Sequence, residues 1–241
     1  HLEPRTQPQE GFDRLVLGSI YHKVLEEVYV RSPSNPLSVL PAVAGEVFGS
    51  APEEYGFRPT PHWEHQQQEF LQVLERNVVA LEEARAGYEP HAQEPPFGLH
   101  GRPVLTLGHP ASNVQIRGYV DRVDRAADGS LRVIDYKAGS SRISARKLEQ
   151  GVRLQLPLYA LAVQDALEMG PVADGFYWHI GSASPSYLRL ERYAGGVEGA
   201  QNARESRAPM PVLGREVGPR IEGLPVRGEE DGERPAPRAR E

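Results

Sequence analysis

Two short strand patterns joined by a turn constrain the fold of this chain more than any other feature. The first runs from Gly118 to Asp124 and the second from Leu131 to Lys137, with Asp128-Gly129 in the turn between them. Their alternation of apolar and polar residues predicts a β-hairpin. Because successive side chains of a strand point to opposite faces, Asp135 and Lys137 leave the second strand on the same side.

A second carboxylate is expected beside this pair. Asp121 lies on the preceding strand, whereas Asp124, three residues later, points to the opposite face and is excluded from the group. Clustered carboxylates suit Mg²⁺ or Mn²⁺, and such a metal with a nearby lysine can support phosphodiester hydrolysis. An Asp-x-Lys pattern is also common by chance, and an exposed ion pair on a strand edge contributes little to stability.

Composition limits the classes of protein that the chain can belong to. With 241 residues, of which 39% are hydrophobic, it can bury one substantial core, and two large domains are not expected. There is no apolar run of about 18 residues and no signal-peptide pattern, so we expect a soluble, cytoplasmic protein. The lack of cysteine excludes disulfides, Cys-ligated zinc and a Cys-ligated iron–sulfur cluster. A first residue of His rather than Met indicates a processed, excised or incomplete chain.

The charge balance is the reverse of a basic nucleic-acid footprint. The net charge is −6 and the isoelectric point is near 5.8. A locally basic stretch nevertheless follows the second strand, where only Glu149 opposes the cations Lys137, Arg142, Arg146, Lys147 and Arg153. This stretch fits either a path for a phosphate backbone or an ordinary solvated helix face.

The hydrophobic pattern divides the chain into three parts. Residues 1–11 are a polar leader, residues 12–193 form one domain, and residues 194–241 have so little to bury that we expect a disordered tail. Helices are predicted at Phe12–Val30, Val39–Phe48, Trp63–Ala86 and Leu154–Glu168. A turn is predicted at Gly87–Pro96, and strands at Val104–Leu107, Val114–Asp124, Leu131–Lys137, Gly175–Ile180 and Tyr187–Leu190.

Four motifs in this order carry a family resemblance. They are Gly-x-x-x-His at residues 18–22, Gly-Tyr-Val-Asp-Arg-Val-Asp at 118–124, Val-Ile-Asp-Tyr-Lys-Ala-Gly at 133–139, and Leu-Gln-Leu-Pro-Leu-Tyr-Ala at 154–160. Together they resemble the PD-(D/E)XK nuclease superfamily, and within it the RecB-type, AddB-like branch. The resemblance implies a restriction-endonuclease-like α/β core, with a mixed central β-sheet flanked by helices and the site at one sheet edge.

The resemblance also implies a role for each residue of the site. Asp121, Asp135 and the Tyr136 carbonyl would bind Mg²⁺ or Mn²⁺, and Lys137 would orient the attacking water. His22 would be a further metal ligand. On an apolar helical stripe, however, a lone histidine is usually a core residue, and that interpretation stays open.

Further residues would contact the nucleic acid or have an accessory role at the site. Gln155 and Tyr159 are four apart, so they share a helix face, and the resemblance places this pair beside the active site; an ordinary half-buried helix face is the alternative. Glu94 matches an acidic residue that similar proteins place before the first core strand. Arg142, Arg146 and Lys147 supply the basic stretch. The remaining histidines, His179 among them, match no motif and are interpreted as ordinary.

The chain departs from the AddB-type pattern in one respect, because the cysteines that hold an iron–sulfur cluster in those domains are missing. It is either a cluster-free relative or a chain with a lost or altered C-terminus. The function implied is Mg²⁺- or Mn²⁺-dependent DNA hydrolysis in repair or recombination, with DNA and a helicase or recombination subunit as partners. The alternatives are a catalytically inactive DNA-binding or scaffolding module of the same fold and a hydrolase of small phosphoesters.

Overall fold

The computed structural model describes residues 9–10, 12–109, 112–139 and 154–190. Most of the predicted leader, the basic residues Arg142, Arg146 and Lys147, and the predicted tail lie outside these described residues. Within the leader, β1 (Gln9–Glu10) pairs in parallel with β2 (Phe57–Arg58).

Three helices come first, and their starts follow from local chemistry. α1 (Arg14–Arg31) begins at Asp13, whose carboxylate accepts hydrogen bonds from two backbone N–H groups of the first turn at 2.8 and 2.9 Å. α3 (Pro61–Glu83) begins with a proline in its first turn after the N-cap Thr60. Both helices were predicted from their apolar periodicity, and the structure confirms them.

α2 (Pro36–Glu54) is much longer than the predicted helix at Val39–Phe48. The predicted helix lies inside α2, but its ends were wrong, because residues 31–60 are rich in Pro, Gly and Ser, which favour loops. Pro36 occupies the first turn, where its missing N–H costs nothing, but Pro41 and Pro52 lie inside the helix. A continuous buried face outweighs their cost; it consists of Leu40, Val43, Ala44, Val47, Phe48 and Ala51.

A mixed five-stranded sheet forms the centre of the fold. Its order is β11 (Ser184–Arg189), β10 (Val172–His179), β9 (Leu131–Lys137), β8 (Arg122–Ala126) and β3 (Tyr88–Gln93). The β9–β10 pair is parallel and the other pairs are antiparallel. β3 lies in the predicted turn at Gly87–Pro96, so that prediction was wrong; an edge strand tolerates Pro90, because one of its sides needs no ladder hydrogen bonds.

The predicted continuous strand Val114–Asp124 is broken into three pieces, because each piece has a different partner. β6 (Ser112–Ile116) pairs with β5 (Leu105–His109), β7 (Gly118–Tyr119) pairs with β4 (Pro96–Phe97), and β8 pairs with β9. Asp121 therefore lies in the bend before β8 rather than inside a ladder.

Helices cover both faces of the sheet and create two apolar clusters. On one face, α1, α2 and α3 pack against Ile134, Tyr136 and Trp178. On the other face lies α4 (Gln155–Leu161), which continues into a π-helix at Ala162–Ala166 and packs against the odd-numbered side of β9. The α/β fold class with a mixed, helix-flanked sheet is thereby confirmed. No helix in the described residues is long and apolar enough to cross a membrane.

Candidate active site

The carboxyl end of β9 supplies the central residues of the site. β9 is held between β8 and β10, so its side chains leave a fixed backbone. Asp135 and Lys137 form an ion pair on one side of the strand. Asp135 is completely buried, yet beyond this ion pair neither of its carboxylate oxygens has a hydrogen-bond partner among the described residues. A buried carboxylate left in this way is unusual and requires a physical explanation.

The bend before β8 brings the second carboxylate to the same place. Asp121 Oδ2 accepts a hydrogen bond from the Tyr136 backbone N–H at 2.7 Å, and the Asp121 carbonyl accepts one from the Glu94 N–H at 3.1 Å. Asp121 is only 9% exposed. The predicted proximity of Asp121 to the β9 pair is thus seen in the structure, although the residue lies outside the strand.

α1 adds an imidazole from the other end of the sequence. His22 Nε2 lies 3.0 Å from the Tyr136 carbonyl oxygen, and Nδ1 lies 3.5 Å from Asp121 Oδ2. The His22 ring also contacts the Tyr136 ring edge-to-face, with 5.7 Å between centroids. Leu15, in the first turn of α1, is 80% exposed and does not belong to the buried face of this helix.

Burial shifts the protonation of these groups toward neutral forms. The pKa of Asp135 is raised to about 7, first by burial and then by repulsion from Asp121, while Lys137 opposes the shift. Burial raises the pKa of Asp121 to about 6, although the hydrogen bond from the Tyr136 N–H and the charge of Lys137 act to lower it. Burial lowers the pKa of His22, so its imidazole is neutral at pH 7. Groups that resist their charged forms in this way are typical of functional sites.

The donor set fits a divalent cation by its chemistry, although the cage is not preformed. In the described part of the chain, no three His, Asp or Glu side chains are already arranged around a metal position, and His22 Nε2 lies against the Tyr136 carbonyl. The donors themselves fit, because two carboxylates and a carbonyl are hard oxygen ligands, and an imidazole is tolerated by Mn²⁺. The unbonded oxygens of Asp135 are what a cation would satisfy.

A hydrogen-bonded chain extends from the lysine to α4. Lys137 Nζ donates to Gln155 Oε1 at 2.8 Å, and Gln155 Nε2 donates to the Tyr159 hydroxyl at 2.7 Å. The Lys137 ammonium also lies 5.6 Å from the centroid of the Tyr177 ring. Pro157 sits in the first turn of α4, so this face of the helix is regular where Gln155 and Tyr159 leave it.

A cleft of about 1050 Å³ is lined by His22, Tyr136 and Lys137, whereas Asp121, Asp135, Gln155 and Tyr159 are not among its lining residues. One face of α1, with Arg14 and Lys23, forms one wall, and Glu94 forms part of another. Burial and the nearby Glu26 raise the pKa of Glu94, and its backbone has a positive φ of 43°. Glu94 therefore borders the site, and its accessory role stays a prediction, since its side chain forms no hydrogen bond or ion pair with Asp135 in the described structure.

Sequence reasoning missed two residues near the site. Tyr119 lines the cleft and is 41% exposed; its place two residues before Asp121 was the available signal, since such residues share a strand face. His179 is the register partner of Lys137 on β10, and burial and that lysine lower its pKa. A parallel partner cannot be identified from local pattern, so the sequence offered no signal for His179.

Sequence similarity to known proteins identifies the family of this chain. The chain is 36% identical to a subunit of an ATP-dependent helicase/deoxyribonuclease from Moorella thermoacetica over 136 residues, which are 54% of this chain and 11% of that protein. The subunit of the same name from Clostridioides difficile is 30% identical over 94 residues, which are 37% of this chain and 8% of that protein. The chain thus matches about a tenth or less of the length of these relatives. A sequence model described as the PD-(D/E)XK nuclease superfamily matches residues 1–228. By this match, over most of its length, the chain belongs to the PD-(D/E)XK nuclease superfamily.

Proposed function

We propose that this chain is a Mg²⁺- or Mn²⁺-dependent nuclease domain that hydrolyses DNA phosphodiester bonds in repair or recombination. The observation that carries the proposal is the Asp135 carboxylate, which is buried beside Asp121 and has only its ion pair with Lys137 among the described residues. A buried carboxylate with only a structural role would be expected to have further hydrogen-bond partners.

The donors of the proposed site come from three elements. Asp121, Asp135, the Tyr136 carbonyl and His22 would hold the cation. When bound, it would polarise the scissile phosphate and lower the pKa of a water molecule. The Tyr136 N–H holds Asp121 in place, so this carboxylate needs little reorganisation on binding.

Lys137 would act on the reacting groups directly. Its ammonium forms an ion pair with Asp135 on one side and donates a hydrogen bond to Gln155 on the other, so its direction is fixed. The Lys137 side chain is 22% exposed and lines the cleft. From there it can donate a hydrogen bond to a water or to a phosphate oxygen and stabilise the negative charge of the transition state. Gln155 and Tyr159 would border the same path for the nucleic acid.

The relatives suggest the setting in which such a domain works. Their names combine a helicase and a deoxyribonuclease activity, and this chain matches only a small part of their length. We propose that the domain acts on DNA together with a helicase or recombination subunit. A catalytically inactive DNA-binding module of the same fold is the second candidate, and the intact Asp121, Asp135 and Lys137 favour the nuclease.

A cleavage assay separates the two candidates. End-labelled single- and double-stranded DNA is incubated with the protein and Mg²⁺ or Mn²⁺, with EDTA and the Asp135→Asn variant as controls. We expect cleavage that requires the added metal and is lost in the variant. DNA binding without cleavage under every metal condition would favour the inactive module instead.

A further inference from the structure

A buried charge cluster lies behind the candidate site, on the opposite face of β8 and β9. Arg122 donates to both oxygens of Asp124, at 2.6 and 3.3 Å, and Arg132 donates to Asp124 Oδ2 at 2.9 Å. The exposed fractions of Arg122, Asp124 and Arg132 are 0%, 0% and 2%. Two cations thus share one carboxylate in the core, and such a cluster is often no more stable than apolar residues of the same volume.

The two arginines differ in what they contact besides Asp124. The Arg122 guanidinium lies 3.9 Å from the centroid of the Tyr29 ring on α1, and its Nη1 is 3.5 Å from the Tyr136 hydroxyl on β9. Arg132 contacts the Ala84 carbonyl and the Tyr88 and Phe176 rings, at the other end of β9.

The contacts of Arg122 lie on the two elements that meet in the site. Tyr29 follows His22 by seven residues, so both lie on the same face of α1 about 10 Å apart. The side chain of Tyr136 points toward Arg122, while its carbonyl oxygen faces His22 Nε2 at 3.0 Å. A shift of the guanidinium would therefore move α1 relative to β9 and change the distance between these two donor atoms.

We propose that Arg122, held by Asp124, is a positioning residue for the metal site, which it serves by fixing the spacing of His22 and the Tyr136 carbonyl. The proposal rests on the proposed function, and it adds a role for residues that point away from the site. The planar guanidinium is needed, since it bonds the carboxylate with two nitrogens while it stacks on the tyrosine ring, which lysine cannot do. Residues that support metal ligands typically change metal affinity about 10- to 100-fold when mutated.

The test compares Arg122→Lys with its matched control Arg132→Lys. Both variants keep the charge and alter a buried partner of Asp124, so both should lower the melting temperature. We expect Arg122→Lys to weaken Mn²⁺ binding at least about 10-fold by titration calorimetry, and Arg132→Lys to change it less than about 2-fold. Equal effects of the two variants on Mn²⁺ affinity would overturn the proposal.

A readout without metal separates this proposal from the proposed function. In metal-free protein, the NMR signals of the His22 imidazole should shift in Arg122→Lys and stay in place in Arg132→Lys. If the wild-type protein neither bound Mn²⁺ nor cleaved DNA, the proposed function would be wrong, and unchanged His22 signals would overturn the positioning role by themselves.

A second pair of variants applies if Arg122→Lys does not fold. Tyr29→Leu removes the ring beneath the guanidinium, whereas Tyr29→Phe keeps that ring and loses the hydroxyl, which donates to Glu82 at 3.1 Å and also contacts Arg122. We expect the leucine variant alone to weaken Mn²⁺ binding and to shift the His22 signals. If both variants weakened Mn²⁺ binding and shifted the His22 signals, or if neither variant did, the proposed role of Arg122 would be contradicted.

Discussion

Asp135 carries its charge in a part of the protein from which water is excluded, beside a second carboxylate. An unperturbed aspartate has a pKa near 3.9, but in the folded protein the pKa of Asp135 is raised to about 7. Between these pH values the folded chain binds a proton that the unfolded chain releases. The resulting stabilisation is complete below about pH 4 and is lost as the pH rises through 7.

The variant Asp135→Asn should therefore reveal a pH-dependent gain in stability. At pH 4 the metal-free variant should melt close to the wild type, because Asp135 is then protonated in the folded chain and still about half protonated in the unfolded chain. At pH 8 the variant should be more stable by on the order of 1–4 kcal/mol, since it carries no charge beside Asp121. Melting curves in EDTA at both pH values measure the difference. A variant that became relatively less stable at pH 8 would mean that the ion pair with Lys137 outweighs the cost of burying the Asp135 carboxylate beside Asp121.

His22→Ala distinguishes a metal ligand from a core histidine. If His22 is a metal ligand, its replacement should raise the Mn²⁺ concentration needed for cleavage about 10-fold or more. The control His65→Ala changes an exposed histidine and should leave that concentration unchanged. The pKa of His22 is lowered, so this imidazole stays neutral over most of the range from pH 8 to pH 6. The metal affinity of the wild type should therefore fall over this range because Asp121 and Asp135 become protonated. The His22→Ala variant should show the same pH dependence. A lower melting temperature with unchanged metal dependence would favour the core role.

At the scale of elements, α4 is expected to control the direction of Lys137, the proposed catalytic lysine. Gln155→Ala removes the acceptor that holds Lys137 at 2.8 Å, and we expect the cleavage rate at saturating Mn²⁺ to decrease about 10-fold with unchanged Mn²⁺ affinity. Gln164→Ala, later along the same helical segment, is the control and should cleave normally. Weaker metal binding in Gln155→Ala would mean that Gln155 supports a ligand rather than the lysine.

α3 is tied to the end of β10 by one buried amide. Asn77 donates to the Val73 and Ile180 carbonyls at 2.7 and 2.9 Å and accepts from the Trp178 indole at 2.8 Å. Asn77→Ala leaves buried polar groups unpaired and should reduce the free energy of unfolding by about 3 kcal/mol in urea denaturation. Mn²⁺ affinity should not change. Exposed Asn113→Ala is the control, and an equal effect there would contradict the role of the buried amide.

The elements that could be predicted are those whose pattern is local. α1, α3 and the β8–β9 hairpin show clear periodicity, and the bend just before this hairpin brings Asp121 near Asp135. The full length of α2 and the strand β3 could not be predicted, because their prolines are tolerated only through packing and an edge position that the sequence does not display. His22 comes 114 residues before its partner carbonyl, so only the family resemblance, and no spacing rule, pointed to it.

At the scale of the whole molecule, a net charge of −6 makes any DNA binding depend on a few cations. If Arg142, Arg146 and Lys147 contact phosphates, changing all three to Gln should reduce the slope of log affinity against log salt concentration by about 2 to 3. Anisotropy with labelled DNA, in the Asp135→Asn background to prevent cleavage, measures the slope. An unchanged slope would favour the ordinary solvated helix face.

The separation of His22 from Tyr136 also has a consequence for synthesis on the ribosome. At about 5–20 residues per second, α1 is made some 6 to 23 s before the strand that it finally contacts. During this interval the apolar side of α1 has no β9 to cover it, although α2 and α3 follow sooner and can pack against it. Until β9 has been synthesised, the nascent helices are therefore expected to expose part of their apolar surface, which chaperones can bind. The candidate site can form only after the sheet has been completed.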